Sequence, residues 1–177
     1  YAATARAAAE ALGGSWENMV IERGDSRKGL PFVLGQFGSN STYTQTRTNW
    51  AAGMDAKAKL QEIAAKDLGG APGDYDTTDG KVFNKANPSK SMSWAQAAKR
   101  AIELGGKYSG KEMPKDINPI TKWATASIAG TGLVGVTKDK RPKKGVTPGL
   151  VTAFVKVEVD TETGKVEVLD HVEIADC

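Results

Sequence analysis

Apolar and polar residues alternate with two different periods along this chain, and these periods predict its elements. Helical spacing holds over residues 2–12, from about 42 to 68, and over 91–104. The first of these helices ends at Gly13-Gly14 and the third at Gly105-Gly106, since glycine commonly follows a helix. The third begins among serines, which favour helix N-caps. We therefore predict three helices, of which the middle one is the longest.

Extended segments fill much of the remaining chain. NMVIER (18–23) predicts a short strand, and DYDTTDGKVFNK (74–85) predicts a hairpin. Residues 149–176 alternate most regularly and predict two antiparallel strands joined through a turn at Thr161–Gly164. Residues 107–122 are predicted as mostly loop, and ATASIAGTGLVGVT (124–137) as extended and glycine-rich. The fold class predicted is α+β, with helices packed on small mixed or antiparallel sheets.

The composition is that of an ordinary globular protein, with 40% apolar residues, 25% charged residues and a net charge of +3. No apolar run approaches the roughly 18 residues that a bilayer span requires. The chain opens inside a helical pattern and closes at the end of a strand pattern. We therefore expect a piece of a larger subunit. The predicted elements divide it into residues 1–70, a loop-rich connection over 71–147, and a β-hairpin over 148–177.

Three candidate sites each have a simpler structural interpretation. The basic run KDKRPKK (138–144) is interpreted as a solvated turn, with a polyanion or partner contact as the alternative. GTGLVG (130–135) matches G-x-G-x-x-G, but Pro142 follows too soon for the helix that a dinucleotide site needs, so we favour a glycine-rich strand or bulge. His171 and Cys177 are too few for a zinc site, and we expect a packed histidine. The sequence predicts neither a metal site nor a catalytic residue in this chain.

The start of the long helix is unusual in its side chains. Six serines and threonines lie between Ser39 and Thr48, whereas no carboxylate occurs between Arg27 and Asp55. Acidic residues are favoured in a first helical turn because they interact with the helix dipole. Their absence leaves a partial positive charge and unpaired backbone amides available to an anion such as phosphate.

The residues around this helix start fit such a ligand. Gly38 allows close approach to the backbone, Ser39–Thr42 offer short hydroxyl and amide donors, and Arg47 adds positive charge. A Ser/Thr-rich helix cap with no ligand has the same pattern. Both interpretations remain open on the residues alone.

Several motifs occur along this sequence in an order that is typical of one protein family. They are TARAAAEALGG, a strand, a loop opening with GDS, GQFGSNST leading a helix, and the final TAFVKVEVDTETGKVEVLDHVEIADC. In this order the sequence resembles the molybdopterin-binding (large) subunit of the molybdenum hydroxylases, the xanthine dehydrogenase and aldehyde oxidase family. The resemblance covers residues 1 to about 70 and 148–177 well, and the part between them poorly.

The resemblance implies a role for the helix start. In the family, backbone amides and hydroxyls of the matching segment hold polar and phosphate groups of the molybdopterin cofactor, or of its cytosine dinucleotide form. The implied cofactor-binding residues are Gly38, Ser39, Asn40, Ser41 and Thr42. Phe37 would lie close to the molybdenum and the substrate, where the family pattern has a smaller residue.

The resemblance also implies what lies outside this chain. A glycine-glutamine motif that contacts the cofactor would precede Tyr1, and the glutamate general base would follow Cys177. The implied reaction is oxidative hydroxylation of an electron-poor carbon in an N-heteroaromatic, aldehyde or related substrate, with oxygen derived from water. Expected partners are the rest of the molybdopterin subunit, an iron–sulfur subunit with 2Fe-2S clusters and an FAD subunit or domain. Nucleic acid is not an expected partner.

Two other functional interpretations remain. The chain is alternatively a non-enzymatic α/β binding or scaffolding domain whose threonine-rich helix start is only a cap, or a nucleotide binder built on Gly130–Gly135. We expect a cytoplasmic location, with the periplasm as the alternative because a signal peptide can precede residue 1.

Overall fold

The structure is a computed structural model that describes residues 2–28, 30, 35–139 and 149–175. The chain divides into two compact units, residues 1–140 and 141–177, and each is described by itself. The first unit contains the helices and a small sheet, and the second contains the C-terminal hairpin.

Four α-helices are present in the described part of the first unit. Local signals explain two of the helix starts. The Ser93 hydroxyl accepts the Gln96 N–H while the Gln96 side chain accepts the Ser93 N–H, and Asn118 caps the helix that has Pro119 at its first position. The helices are α1 (Ala2–Leu12), α2 (Asn40–Leu68), α3 (Trp94–Leu104) and α4 (Pro119–Ala126). The first three confirm the predicted helices, with small shifts at their starts.

The sheet of the first unit is an antiparallel meander in the order β1-β2-β3. Its strands are β1 (Tyr75–Thr78), β2 (Lys81–Asn84) and β3 (Ser91–Ser93). The hairpin predicted over 74–85 is therefore confirmed. The core lies between this sheet, α3 and the C-terminal half of α2, and its buried residues are Leu60, Ile63, Ala64, Ala65, Tyr75, Val82, Ala97 and Ala101.

The second unit confirms the predicted C-terminal hairpin. Strands β4 (Val151–Val159) and β5 (Val166–Ala175) pair antiparallel, and the Asp160 carboxylate accepts the backbone N–H groups of the turn. Lys156 faces Asp170 while Val157 faces Val168, so β5 carries one extra residue at a β-bulge.

His171 lies opposite Val155 in this hairpin and is exposed in the second unit, so the expectation of a packed histidine is wrong there. Cys177 lies outside the described residues, as does most of the basic run 138–144.

Three local predictions are wrong. Residues 18–23 do not form a strand in the structure, and the first of them ends a 3₁₀ helix over Trp16–Asn18 that the Ser15 hydroxyl caps. Part of 124–137 is helical, because Asn118 and Pro119 start α4 within the predicted loop. The third helix begins at Trp94 instead of Ser91, since Ser91–Ser93 pairs with β2.

Candidate functional site

The backbone turns sharply just before α2. Gly38 has a φ of 53° and Ser39 a φ of 55°, so two successive residues are left-handed. Ser39 is the only non-glycine residue with positive φ in the part of the chain that the structure describes, and its hydroxyl makes no capping hydrogen bond. A left-handed serine is costly, and such conformations concentrate at ligand-binding segments.

A short loop before the helix satisfies two of its first amides. The Asn40 N–H donates to the Phe37 carbonyl at 3.2 Å, and the Ser41 N–H donates to Gln36 Oε1 at 3.0 Å. Gln36 therefore takes the role that a Ser39 cap would have. Gln36 was not among the predicted site residues, although a glutamine shortly before a helix is a usable signal because its carboxamide oxygen can accept from a first-turn amide. A neutral oxygen thus lies where the sequence predicts a ligand anion.

The electrostatics of this helix start follow mainly from the backbone. The first turn of α2 contains no acidic residue, which leaves the positive end of the helix dipole uncompensated by side-chain carboxylates of that turn. Arg47 was expected to add positive charge, but its guanidinium pairs with the Asp139 carboxylate at 2.8 and 3.1 Å. These bonds raise the pKa of Arg47 and compensate its charge locally. The expectation that Arg47 supplies net positive charge is therefore wrong.

The structure places the predicted cofactor-binding residues in one continuous turn at an accessible surface. Asn40 and Ser41 are half-buried, and the other members of the set, Gly38, Ser39 and Thr42, are exposed. Phe37 precedes them with 66% of its side chain exposed. Further along α2, a cavity of about 260 Å³ is lined by Thr46, Arg47, Trp50, Ala51 and Asp139. The donors and the exposed aromatic ring are thus adjacent to one another at one end of the helix.

The glycine-rich segment 130–135 has a packing role. No helix begins between these glycines and residue 139, so the context of a dinucleotide fingerprint is absent there. A Cβ at Gly135 would collide with the Ala52 carbonyl and lie 2.9 Å from the Ala56 Cβ. Gly135 therefore allows the segment to pack directly against the backbone of α2.

Among the residues that the structure describes, no three His, Cys, Asp or Glu side chains come together as a possible metal site. No helix among them is both long and apolar enough to cross a membrane.

The first unit therefore presents a helix start that has short hydroxyl and amide side chains and no carboxylate in its first turn, on an α+β scaffold. Over residues 1–177 the sequence matches the family model described as a molybdopterin cofactor-binding domain, and the chain belongs to that family. This match confirms the resemblance that the sequence motifs indicated. No curated protein matches the chain.

Solved structures agree with this membership. The chain is similar to the Cu,Mo-CO dehydrogenase in its carbon monoxide reduced state, at 25% identity and a TM-score of 0.59, over 99% of this chain and 19% of that one. It is also similar in fold to a reconstituted CO dehydrogenase from Oligotropha carboxidovorans, at 24% identity, the same TM-score and the same coverage. The chain thus spans about a fifth of the length of those chains. The likeness of the two folds confirms the predicted α+β fold class.

Proposed function

We propose that this chain is part of the molybdopterin-binding region of a molybdenum hydroxylase of the xanthine dehydrogenase and aldehyde oxidase type. The observation that carries the proposal is the first turn of α2, which combines exposed donors, a left-handed approach and no carboxylate. Family membership supports molybdopterin as the ligand class. The reaction class and the substrate class, an electron-poor carbon in an N-heteroaromatic, aldehyde or related compound, belong to the same proposal.

The donor set at the helix start fits the polar and anionic groups of molybdopterin. Among the described residues, nothing lies within 4 Å of the point where a Cβ would sit on Gly38, so a ligand has room to approach the backbone there. The Ser39, Ser41 and Thr42 hydroxyls and the Asn40 amide are hydrogen-bond donors of short reach. Anions are favoured at helix N-termini by the aligned peptide dipoles. Gly38 to Thr42 would accordingly hold and orient the cofactor.

Other parts of the proposed enzyme lie in other chains or segments. When bound, molybdopterin supplies the redox-active molybdenum at which this class of enzyme oxidises its substrates. Phe37, largely exposed before the helix start, would shield the space next to the cofactor from water. The general-base glutamate, the 2Fe-2S clusters and the FAD belong to partner chains or domains in this proposal, and a cytosine dinucleotide form of the cofactor is one version of it.

Metal and pterin analysis of the native complex tests the proposal most directly. We expect molybdenum near one atom per complex, together with a pterin released on denaturation. The measurement is elemental analysis of the purified active protein, paired with fluorescence of the oxidised pterin. Catalytically active material without molybdenum would contradict the proposal and favour a scaffolding domain whose helix start is only a cap.

Gln36 provides a second prediction, because its oxygen already accepts the Ser41 N–H. Changing Gln36 to glutamate places a tethered carboxylate there, which should strengthen the cap by roughly 0.3–1 kcal/mol and compete with a cofactor anion. We expect a higher melting temperature of the cofactor-free protein and a several-fold lower cofactor content.

Gln45→Glu is the matched control for this prediction, since it adds the same charge to α2 beyond the first turn. It should leave the cofactor content unchanged. Equal cofactor content in the Gln36→Glu and wild-type proteins would show that Gln36 caps a helix start that holds no anion.

A further inference from the structure

Residues 134–139, hereafter the strap, lie against α2 between Arg47 and Lys59. Three contacts fasten the strap to the helix, and each joins one strap residue to one helix residue. Lys59 Nζ donates to the Val134 carbonyl at 2.8 Å, the Val136 N–H donates to Asp55 Oδ2 at 2.8 Å, and Arg47 Nε donates to Asp139 Oδ2 at 2.8 Å. The strap residue number rises as the helix residue number falls, so the strap runs toward the start of α2.

The contacts of the strap are spread over a long stretch of α2. Arg47 and Lys59 are twelve residues apart, which is about 18 Å at the rise of an α-helix. Val134 and Asp139 are five residues apart, which is about 17 Å in an extended chain. Three contacts spread over this length limit movement of the helix relative to the strap.

The central contact is an ion pair between a buried lysine and a half-buried aspartate. The Lys59 side chain is only 7% exposed and lies 2.6 Å from the Asp55 carboxylate. A buried ammonium is tolerated only when a carboxylate and further acceptors compensate its lost hydration, and the Val134 carbonyl completes that set. Removing one member leaves the others poorly compensated, so the pair and the strap depend on each other.

The two halves of α2 are held differently. Leu60, Ile63 and Ala64 in the C-terminal half are buried in the core. By contrast, Tyr43 and Trp50 in the N-terminal half are more than 40% exposed. The N-terminal half therefore relies on its contacts with α1 and with the strap.

We propose that the strap is a positioning element for the cofactor-binding start of α2, with Asp55 and Lys59 as its central positioning residues. The inference rests on the proposed function for its link to the cofactor, and on the geometry alone for its effect on the helix. Loss of the central fastening would let the helix start move while the core around Ile63 stays intact.

Lys59→Met tests this inference, with Lys57→Met as the matched control. Lys57 is on the same helix and pairs with Asp76 of β1 at 2.7 Å, so its change removes an equal charge without touching the strap. Amide hydrogen exchange of the native complex is measured for residues 40–54 and 60–66, together with molybdenum and pterin content. We expect Lys59→Met to speed exchange of 40–54 at least tenfold, to leave 60–66 unchanged and to halve the cofactor content or reduce it further.

The other outcomes each contradict a defined part of the inference. Faster exchange in both segments, or in neither, would overturn the strap as a positioning element. Faster exchange of 40–54 with full cofactor content would instead contradict the cofactor site at the helix start, and with it the proposed function. If Lys59→Met does not fold, Asp139→Asn is the alternative variant, because it removes the carboxylate that pairs with Arg47 at the partly exposed end of the strap. Its effect should be confined to the first turns of α2.

Discussion

Replacing Ser39 with aspartate is expected to remove the cofactor from a protein that remains folded. Asp is among the residues that tolerate a left-handed conformation, and a carboxylate interacts favourably with the positive end of a helix, so the φ of 55° and the helix start both accept it. The new carboxylate, however, would face an anionic cofactor group. Two like charges about 4 Å apart repel by about 1 kcal/mol in water and about 4 kcal/mol near a protein surface. Cofactor content below a tenth of wild type is the expected result.

Ser39→Asn is the control for this prediction, because asparagine has nearly the same size as aspartate and also tolerates the left-handed region. It carries no charge, so it should retain most of the cofactor. Molybdenum and pterin content are compared for the two variants beside their melting temperatures. Full cofactor loading in a stably folded Ser39→Asp protein would mean that the segment is a helix cap and would remove the main support for the proposed function.

Gly135→Ala is expected to destabilise the first unit strongly. The added Cβ has no room, because the Ala52 carbonyl and the Ala56 Cβ occupy its place. Both belong to α2, so the new methyl must push the strap away from the helix and weaken the neighbouring Asp55 and Lys59 contacts. Overpacking of this kind typically costs about 1–3 kcal/mol. Denaturant unfolding should show the loss as a lower midpoint with an unchanged slope.

Gly132→Ala is the comparison for this second prediction. It changes a glycine three residues away in the same glycine-rich segment, where no atom of the described part of the chain lies within 4 Å of the added Cβ. Its free energy of unfolding should stay within the usual range of surface substitutions, about 0.5 kcal/mol from wild type. Similar midpoints for the two variants would indicate that Gly135 is not in close contact with α2.

Much of this fold follows from local signals. The helical spacing of 42–68 and the strand alternation of 149–176 each specify a regular element, because a helix or hairpin forms by contacts between residues close in sequence. The missed start of α4 was also local, since Asn118 and Pro119 are a cap and a first-turn residue. The hydroxyl-rich start of α2 without carboxylates was likewise readable from composition. These features needed no knowledge of the tertiary structure.

Contacts between residues that are far apart in sequence determine part of the candidate site. Arg47 loses its free charge to Asp139, which is 92 residues away, and no spacing rule links the two. Strand β3 forms because β2 offers it a backbone partner, although serines before a helix suggest only a cap. The role of Gly135 depends on the close approach of α2 and not on the residues next to it in sequence.

The physical distinction is the range of the interactions. Backbone hydrogen bonding, capping and periodic burial act over a few residues, so the sequence alone determined which segments become helices and hairpins. Charge compensation at Arg47, the buried Lys59 pair and the close packing at Gly135 arise only when the chain brings remote segments together. Their free energies depend on desolvation and steric fit in three dimensions, and the tertiary structure alone therefore decided them.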